Sequence, residues 1–392
     1  MRLFCPHRLS KEFTLKTLPL LYCLTAALLS FEASALNVVL HDASPVLGGK
    51  AATQEQLASF KKGLKSLEDK IKDDITLHVG VSYISLKGTA IALPFEAFFL
   101  APRVQVKQDA LFKLLSAASK SDIDKQAIAS LQKYQKSVSF LSLGFSKDIL
   151  DQSKPFVVNK NNTVCNLIRM VPIANMKALI PGFDPKKTQG VTDHYSLKAP
   201  GNEPPITLDG IIVINTDTQG DYDWSAIFNH EMLGIMGLQT TSIVTLQSAS
   251  LPTCEKAKKQ TACWSKKTFE GTPLGTIADL FRYSKQSAAA NVVDWTASKE
   301  PSEKQLAYFS IDGGKTPIMY FSFGGPSSKE QSGAWADPAT LQSLHAKGYK
   351  FELDINQKQF GLNGPITSPA FNGQLSKADL IALDAIGWDV AY

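Results

Sequence analysis

The chain has 392 residues, a formal net charge of only +5, and 44% hydrophobic and 20% charged residues. This composition is ordinary for a globular protein, and the sequence shows no low-complexity run and no repeat. Basic residues are scattered rather than clustered among aromatic ones, so we do not expect nucleic acid as a partner.

Residues 1–35 have the pattern of a secretory signal. Basic residues precede an apolar run, TLPLLYCLTAALLSF (17–31), and the small residues ASA (33–35) follow it. That order of a positive region, a short apolar region and a small-residue cleavage site is typical of export. The run is shorter than the roughly 20 residues that a spanning helix needs, so an uncleaved anchor is the less favoured alternative. We expect an exported protein, periplasmic or extracellular, without a membrane span.

The first predicted elements are a strand and a helix. A strand is predicted at 37–41, and a linker follows it. From Leu57 to Ile71 apolar residues recur every three or four positions, which predicts a helix with one buried face. Thr53 and Gln56 are spaced as in a capping box, so we expect the helix to begin at Thr53.

The next predicted element is a half-buried strand. The stretch ITLHVGVSYI (75–84) alternates apolar and polar residues, as a strand with one buried face does. His78 falls on the polar face, where we expect a solvated side chain rather than a ligand. Two helical segments are predicted after this strand, at about 105–118 and 122–136.

The stretch NHEMLGIMGL (229–238) carries the strongest chemical signal. A strand predicted at 206–215 leads through a short loop into a helix that carries His230 and Glu231, which is the setting in which a His-Glu-x-x-His motif has meaning. In that motif two histidines one helical turn apart hold Zn²⁺, and the glutamate polarises the bound water. Here the second histidine is replaced by Gly234.

Several blocks resemble the secreted bacterial zinc metalloproteases of the zincin class whose chains end in a D-L-x-A-L-D-x-I-G-W-x-V block. In this chain the blocks are NMKAL (175–179), DGIIVIN (209–215), DLFRYS (279–284), YFSIDGG (308–314) and ADLIALDAIGWDV (378–390). They follow the family's order, and the closing block is the most specific. The resemblance implies an α+β, zincin-like metalloprotease fold. That fold would have a mixed, twisted sheet, a backing helix at 53–71, an active-site helix at 224–238 beneath the cleft, and an irregular C-terminal lobe.

The chain departs from the family's pattern at the metal ligands. Gly234 has no side chain, and the places where a later ligand would fall hold Thr240 and Ile243. Catalytic zinc normally keeps three protein ligands, whereas this helix retains His230 as a single metal ligand and Glu231 as a vestigial general base. Zinc, if any, is therefore expected to bind weakly or not at all. The remaining histidines after the signal, none with a ligand-like spacing, are His41, His78, His194 and His345.

The cysteines indicate one disulfide. Cys254 and Cys263 bracket a short polar loop, and an oxidising compartment favours a bridge between them. Cys165 is left over and is expected to be a buried, inert thiol.

We expect three segments: the signal at 1–35, an N-terminal zincin-like subdomain at 36–240 and a C-terminal subdomain at 241–392. The favoured function is that of a catalytically impaired metalloprotease relative that binds a peptide or protein in the old cleft. An active metallopeptidase with non-standard ligands and a surface interaction or structural protein are the alternatives, so enzymatic activity is left open. The oligomeric state is not indicated. The sequence also predicts that Gly234→His would create a two-histidine zinc site without harming the helix.

Overall fold

A computed structural model describes most of the chain from residue 35 onwards. The described ranges are 35–87, 96–143, 156–160, 164–189, 191–192, 194–199, 201–218, 223–240, 262–265, 269–273, 275–296, 302–322, 334–351 and 375–392. Residues 35–392 belong to one compact unit. The predicted signal lies almost entirely outside the described residues. No helix in the described part is long and apolar enough to cross a membrane.

The strands are short, and we number them in chain order. They are β1 (Asn37–Asp42), β2 (Lys50–Ala51), β3 (Thr76–Ile84), β4 (Ala97–Leu100), β5 (Arg103–Lys107), β6 (Phe140–Leu143), β7 (Phe156–Asn159), β8 (Ile168–Pro172), β9 (Val191–Thr192), β10 (Ser196–Leu197), β11 (Ile206–Thr207), β12 (Gly210–Asn215), β13 (Ala262–Ser265), β14 (Phe269–Pro273), β15 (Arg282–Tyr283), β16 (Val293–Asp294), β17 (Tyr308–Phe309) and β18 (Met319–Tyr320).

The helices alternate with these strands along the chain. They are α1 (Ser44–Leu47), α2 (Gln54–Glu68), α3 (Gln108–Ala118), α4 (Asp122–Leu131), α5 (Val164–Leu167), α6 (Ile173–Leu179), α7 (Trp224–Ile235), α8 (Lys285–Ala289), α9 (Pro338–Ala346) and α10 (Lys377–Ala385). The architecture is mixed α+β, as the sequence predicted at that level.

The main sheet is mixed and has five strands. β3 pairs in parallel with β1 on one side and with β12 on the other. β4 runs antiparallel to β12 at the edge, and β2 pairs antiparallel with the end of β3. The parallel arrangement of β1 and β3 follows from the helix α2 between them, because a parallel pair needs a crossover connection.

The two faces of the sheet bury different clusters. One face packs against α2 and α7 and belongs to a large core that includes Leu64, Ile212 and Met236. The opposite face carries a small cluster around Ala43, Leu208 and Ile211. The side chains of β4 divide between the two faces: Phe99 packs against the large core, and Phe98 and Leu100 pack against the small cluster.

The helix α2 forms as the sequence predicts. The Thr53 hydroxyl accepts a hydrogen bond from the Gln56 amide at 3.2 Å, and the Gln56 side chain accepts one from the Thr53 amide at 2.9 Å. These bonds satisfy two backbone donors that the first turn leaves unpaired. Glu68 ends the helix, three residues before the predicted Ile71.

The predicted helix at 105–118 begins later than expected. Residues 103–107 form β5, which pairs antiparallel with β8 over its whole length, and the helix α3 starts only at Gln108. The stretch RVQVK alternates apolar and polar residues, so its pairing with β8 overrides the helical pattern that follows. The second predicted helix ends at Leu131 and continues as a 3-10 turn, Gln132–Tyr134.

Elements from both sides of residue 240 share the large core. Phe281, Ile386 and Trp388 are fully buried in the same cluster as Leu64 and Met236. The closing block of the sequence forms α10, which Ser376 caps through its hydroxyl. The sequence after residue 240 is therefore part of the scaffold that holds α7.

Candidate functional site

The helix α7 is set in place at its N-terminus by Asp223. The Asp223 carboxylate accepts a hydrogen bond from the Ala226 amide at 3.0 Å, the usual role of an N-cap residue. From Ala226 to Ile235 every residue is buried. A helix that is apolar and buried all round lies inside the protein rather than on its surface.

The helices α2 and α7 are in close contact. The rings of Phe60 and Phe228 stack with centroids 4.5 Å apart. The side-chain amide of Asn229 donates a hydrogen bond of 3.0 Å from Nδ2 to the carbonyl oxygen of Gly63. A Cβ on Gly63 would lie 2.9 Å from Cβ of Ser225, so a glycine is needed where the two helices approach. Asn229, which precedes the His-Glu pair, therefore acts as an anchor for α7.

The C-terminal end of α7 is closed by a glycine and a tryptophan. Gly237 has a φ of +102°, and the Leu238 amide donates to the Leu233 carbonyl at 2.9 Å, which together make a Schellman ending. The Trp388 indole donates a hydrogen bond of 2.9 Å to the carbonyl oxygen of Met236. The closing block of the sequence thus holds the end of the helix.

His230 and Glu231 lie in the interior of the protein. His230 is 6% exposed and Glu231 only 2% exposed. Both residues make interactions within the fold. Both side chains are therefore enclosed by the packing around the helix.

The face of α7 at Gly234 is covered by a phenylalanine from the sheet edge. A Cβ on Gly234 would lie 2.2 Å from Cε1, 2.5 Å from Cζ and 2.7 Å from Cδ1 of Phe99. Such distances are far inside van der Waals contact. Residues 230 and 234 are one turn apart on the same side of the helix, so Phe99 fills the space that a second metal-ligating histidine would need. A side chain at 234 would require the ring of Phe99 to move, so the prediction that Gly234→His leaves the helix unharmed stays a prediction.

The positions expected for a third ligand also lack one. Thr240 is buried at 3% exposure, and Ile243 lies outside the described residues. Within the described part of the chain, no group of three or more His, Cys, Asp or Glu side chains is arranged to hold a metal ion.

Two of the remote histidines lie in exposed positions. His345 is on α9, and its Nδ1 lies 3.2 Å from the carbonyl oxygen of Tyr349. His194 is exposed in the segment before β10.

His41 and His78 form a pair that the sequence analysis did not foresee. His41 Nε2 lies 3.0 Å from His78 Nδ1, and the ring centroids are 5.2 Å apart. The rings sit on β1 and β3, on the sheet face that carries the small cluster. His78 is half-buried and hydrogen-bonded, so it is only partly solvated, and the expectation that it is not a ligand stays a prediction. The signal was available: a strand, a helix and a strand imply parallel neighbours, and the period of two places both histidines on one face.

Burial and positive charge lower the pKa of both histidines. Desolvation lowers the pKa of His41, and the neighbouring His78 lowers it further. Desolvation also lowers the pKa of His78, with a smaller effect from Lys177. Both imidazoles are therefore neutral at pH 7, with lone pairs free of protons.

A buried ion pair lies next to the histidine pair. The Lys177 ammonium donates to Asp209 Oδ2 at 2.7 Å and to the carbonyl oxygen of Thr76 at 3.0 Å. Asp209 Oδ2 also accepts a hydrogen bond from the His78 amide at 2.8 Å. The carboxylate thereby ties α6, β3 and the start of β12 together.

The chain was also compared with known proteins. No protein-family model, curated protein or solved structure matches it. The fold and the local geometry therefore define a mixed α+β protein with an enclosed His-Glu helix. Its relation to the zincin-type metalloproteases is an expectation from the sequence blocks.

Two cysteine predictions fall on parts that are not described. Cys254 lies outside the described residues, so its disulfide with Cys263 stays a prediction. The backbone of Cys165 is in α5, but its side chain is not described, and its inert state stays a prediction as well.

Proposed function

We propose that this chain is an exported protein of metalloprotease-like architecture that does not hydrolyse peptide bonds and that binds an extended peptide at the edge of its main sheet. The observation that carries the proposal is the position of Phe99 against Gly234. It replaces a metal-binding face of α7 with a packed aromatic contact.

The loss of catalysis follows from what zinc chemistry requires. A catalytic zinc needs three protein ligands and one open position for water. Here position 234 has no side chain, Phe99 occupies the space beside it, and Thr240 stands where a third ligand would fall. Glu231 has a carboxylate but no metal-bound water to act on.

The peptide-binding half of the proposal rests on β4. Among the strands that the structure describes, β4 pairs only with β12. Its side chains Phe98, Phe99 and Leu100 are half-buried, so an added strand would find apolar surface on both faces. An extended peptide can add to such an edge through main-chain hydrogen bonds, and side chains on alternate faces give specificity.

The first test is enzymatic. Purified mature protein should show no hydrolysis of unfolded casein, with or without added Zn²⁺, and Glu231→Gln should change nothing. Hydrolysis by the wild type that is lost in both Glu231→Gln and His230→Gln would instead establish the active metallopeptidase with non-standard ligands.

The second test concerns the peptide. Arrayed synthetic peptides covering the casein sequence should include binders that shift the backbone amide resonances of residues 97–100. A binder resynthesised with alternate N-methylated amides is the matched control and should bind much more weakly, because methylation removes the main-chain donors. If no peptide binds, or if N-methylation has no effect, the edge-strand proposal is wrong and a structural role is favoured.

A further inference from the structure

A second feature of the sheet, remote from the packing of Phe99 on α7, has the geometry of a ligand site. His41 and His78 come from neighbouring parallel strands, and their facing nitrogens are 3.0 Å apart. Both side chains are half-buried, so the backbone holds them rigidly while one side stays open to solvent. Neither residue belongs to α7, and the proposed peptide-binding function does not use them.

We propose that His41 Nε2 and His78 Nδ1 bind a divalent transition-metal ion of the class Zn²⁺, Cu²⁺ or Ni²⁺. Imidazole nitrogen suits these ions. The two nitrogens supply two coordination positions, and water supplies the others. The affinity is that of a two-ligand site, in the micromolar range.

The nitrogen separation agrees with a shared metal. With Zn–N bonds of about 2.0–2.1 Å, two ligands of a tetrahedral ion lie about 3.3 Å apart. The observed 3.0 Å differs from this by a few tenths of an ångström. The facing nitrogens point nearly at each other, with ring centroids 5.2 Å apart, so each ring has to turn for both lone pairs to meet at one ion.

The protons balance without any net release. In the metal-free pair one ring donates its N–H to the lone pair of the other ring. Metal binding needs both facing nitrogens deprotonated, so the proton of the donor ring moves to its outer nitrogen as a change of tautomer.

The nearby cation does not oppose binding strongly. Lys177 is the positive group next to His78. Its ammonium is 2.7 Å from Asp209 Oδ2, and this ion pair has almost no net charge. The His78 amide donates to the same carboxylate oxygen, which fixes the backbone behind the ligand.

The test is a metal titration of the full mature protein. After chelator treatment and dialysis, Zn²⁺ and then Cu²⁺ are titrated separately into wild type, His41→Gln and His78→Gln, and heats of binding are recorded. Wild type should bind one equivalent, and each variant should bind at least about tenfold more weakly, because even changes at residues that only contact a metal ligand cost about 10–100-fold in metal affinity. His345→Gln, a change at an exposed histidine, is the matched control and should bind like wild type. His230→Gln tests separately whether any metal binds on α7.

A second measurement uses only the wild-type protein, so it does not depend on whether the variants fold. Cu²⁺ should broaden the amide resonances of Val39 and Gly80, which flank the pair, before those of α7. The proposal is overturned if wild type binds no metal at millimolar concentration or if His41→Gln and His78→Gln keep wild-type affinity. Loss of binding in His230→Gln alone would place the metal on α7 and would contradict the non-catalytic function as well, so the two failures are distinguishable.

Discussion

At position 234 the missing side chain allows the ring of Phe99 to lie against the backbone of α7. Glycine inside a helix costs about 1 kcal/mol relative to alanine. The close approach of the ring explains why the residue is tolerated, since a Cβ would lie 2.2 Å from Cε1. The sequence predicts the helix and the missing ligand, but it cannot predict which side chain takes the vacated space, because β4 is more than a hundred residues earlier in the chain.

Gly234→Ala should lower the free energy of unfolding, although alanine has a higher helix propensity than glycine. Overpacking costs about 1–3 kcal/mol and outweighs the gain of about 1 kcal/mol in propensity, so we expect a net loss of about 1 kcal/mol. In a Phe99→Ala background the same change should stabilise, since the obstructing ring is gone. Urea denaturation of the four proteins measures this coupling. Equal effects of Gly234→Ala in both backgrounds would show that Phe99 does not pack there.

Zinc binding by a restored motif should depend on the same ring. Gly234→His alone should bind Zn²⁺ no better than wild type at α7, because Phe99 obstructs the imidazole. Phe99→Ala combined with Gly234→His should add a second zinc equivalent that His230→Gln removes. Calorimetric titration is the measurement. Full binding by the single variant would mean that the ring moves aside freely.

At the scale of elements, local signals predict the ends of helices well. The capping boxes at Thr53 and Ser376 both form, because the bonds that define them lie within one turn. The start of α3 is predicted three residues too early, since β5 owes its existence to β8, a partner about sixty residues away. Elements whose bounds depend on nearby residues can be predicted from the sequence, whereas elements that form by pairing with a distant strand cannot.

The ion pair that joins α6 to β12 gives a prediction about this connection. Lys177→Met leaves Asp209 buried without its partner, and breaking a buried pair costs about 3–5 kcal/mol. Burial already raises the pKa of Asp209, and Lys177 counteracts that rise. The folded-state pKa of Asp209 will therefore rise further in the variant, so its stability deficit should be largest near pH 7 and should shrink as the pH falls and the carboxyl protonates.

Thermal unfolding of Lys177→Met between pH 5 and 7 measures this effect. The double variant Lys177→Met with Asp209→Asn is the control and should regain most of the lost stability with little pH dependence. A small, pH-independent effect of Lys177→Met would contradict the proposed role of the pair.

At the scale of the whole molecule, Asp73 should make stability depend on pH. Desolvation is the main cause that raises the pKa of Asp73 to about 6; the hydrogen bond from the Asp389 amide counteracts this rise, and the Asp389 charge adds a smaller one. The native state therefore holds a proton that the unfolded state has released, and stability falls as the pH rises from about 4 through 6. The Asp73 carboxylate accepts a hydrogen bond of 2.8 Å from the Asp389 backbone amide, and the side-chain oxygen of an asparagine can accept the same bond.

Asp73→Asn should thus be more stable than wild type at pH 7, by about 1 kcal/mol once solvent screening is considered. The difference should vanish near pH 4. Asp122→Asn, a change at a surface pair with Lys125, is the control and should have almost no effect. A stability difference that is constant between pH 4 and 7 would contradict the raised pKa.

The candidate sites differ in how far the sequence reveals them. His230, Glu231 and Gly234 lie within five positions of each other, so the sequence alone identifies their helix and its missing ligand. The pairing of His41 with His78 needs two further facts, that β1 and β3 are adjacent and that their side chains share a face. A strand-helix-strand pattern favours the first fact, whereas the register that places both side chains on one face and the 3.0 Å contact come only from the folded geometry.

The contacts of residues 388–391 have a consequence for how the protein reaches its native state. The Ala391 amide donates to the Lys70 carbonyl, and the Asp389 amide reaches a carboxylate 316 residues earlier. Contacts this distant in sequence close slowly, because the intervening chain has to be ordered first. The contact of Trp388 with the C-terminal end of α7 is therefore among the last to form. In the export that we propose for this chain, the contacts of residues 388–391 would form only after these residues have crossed the membrane.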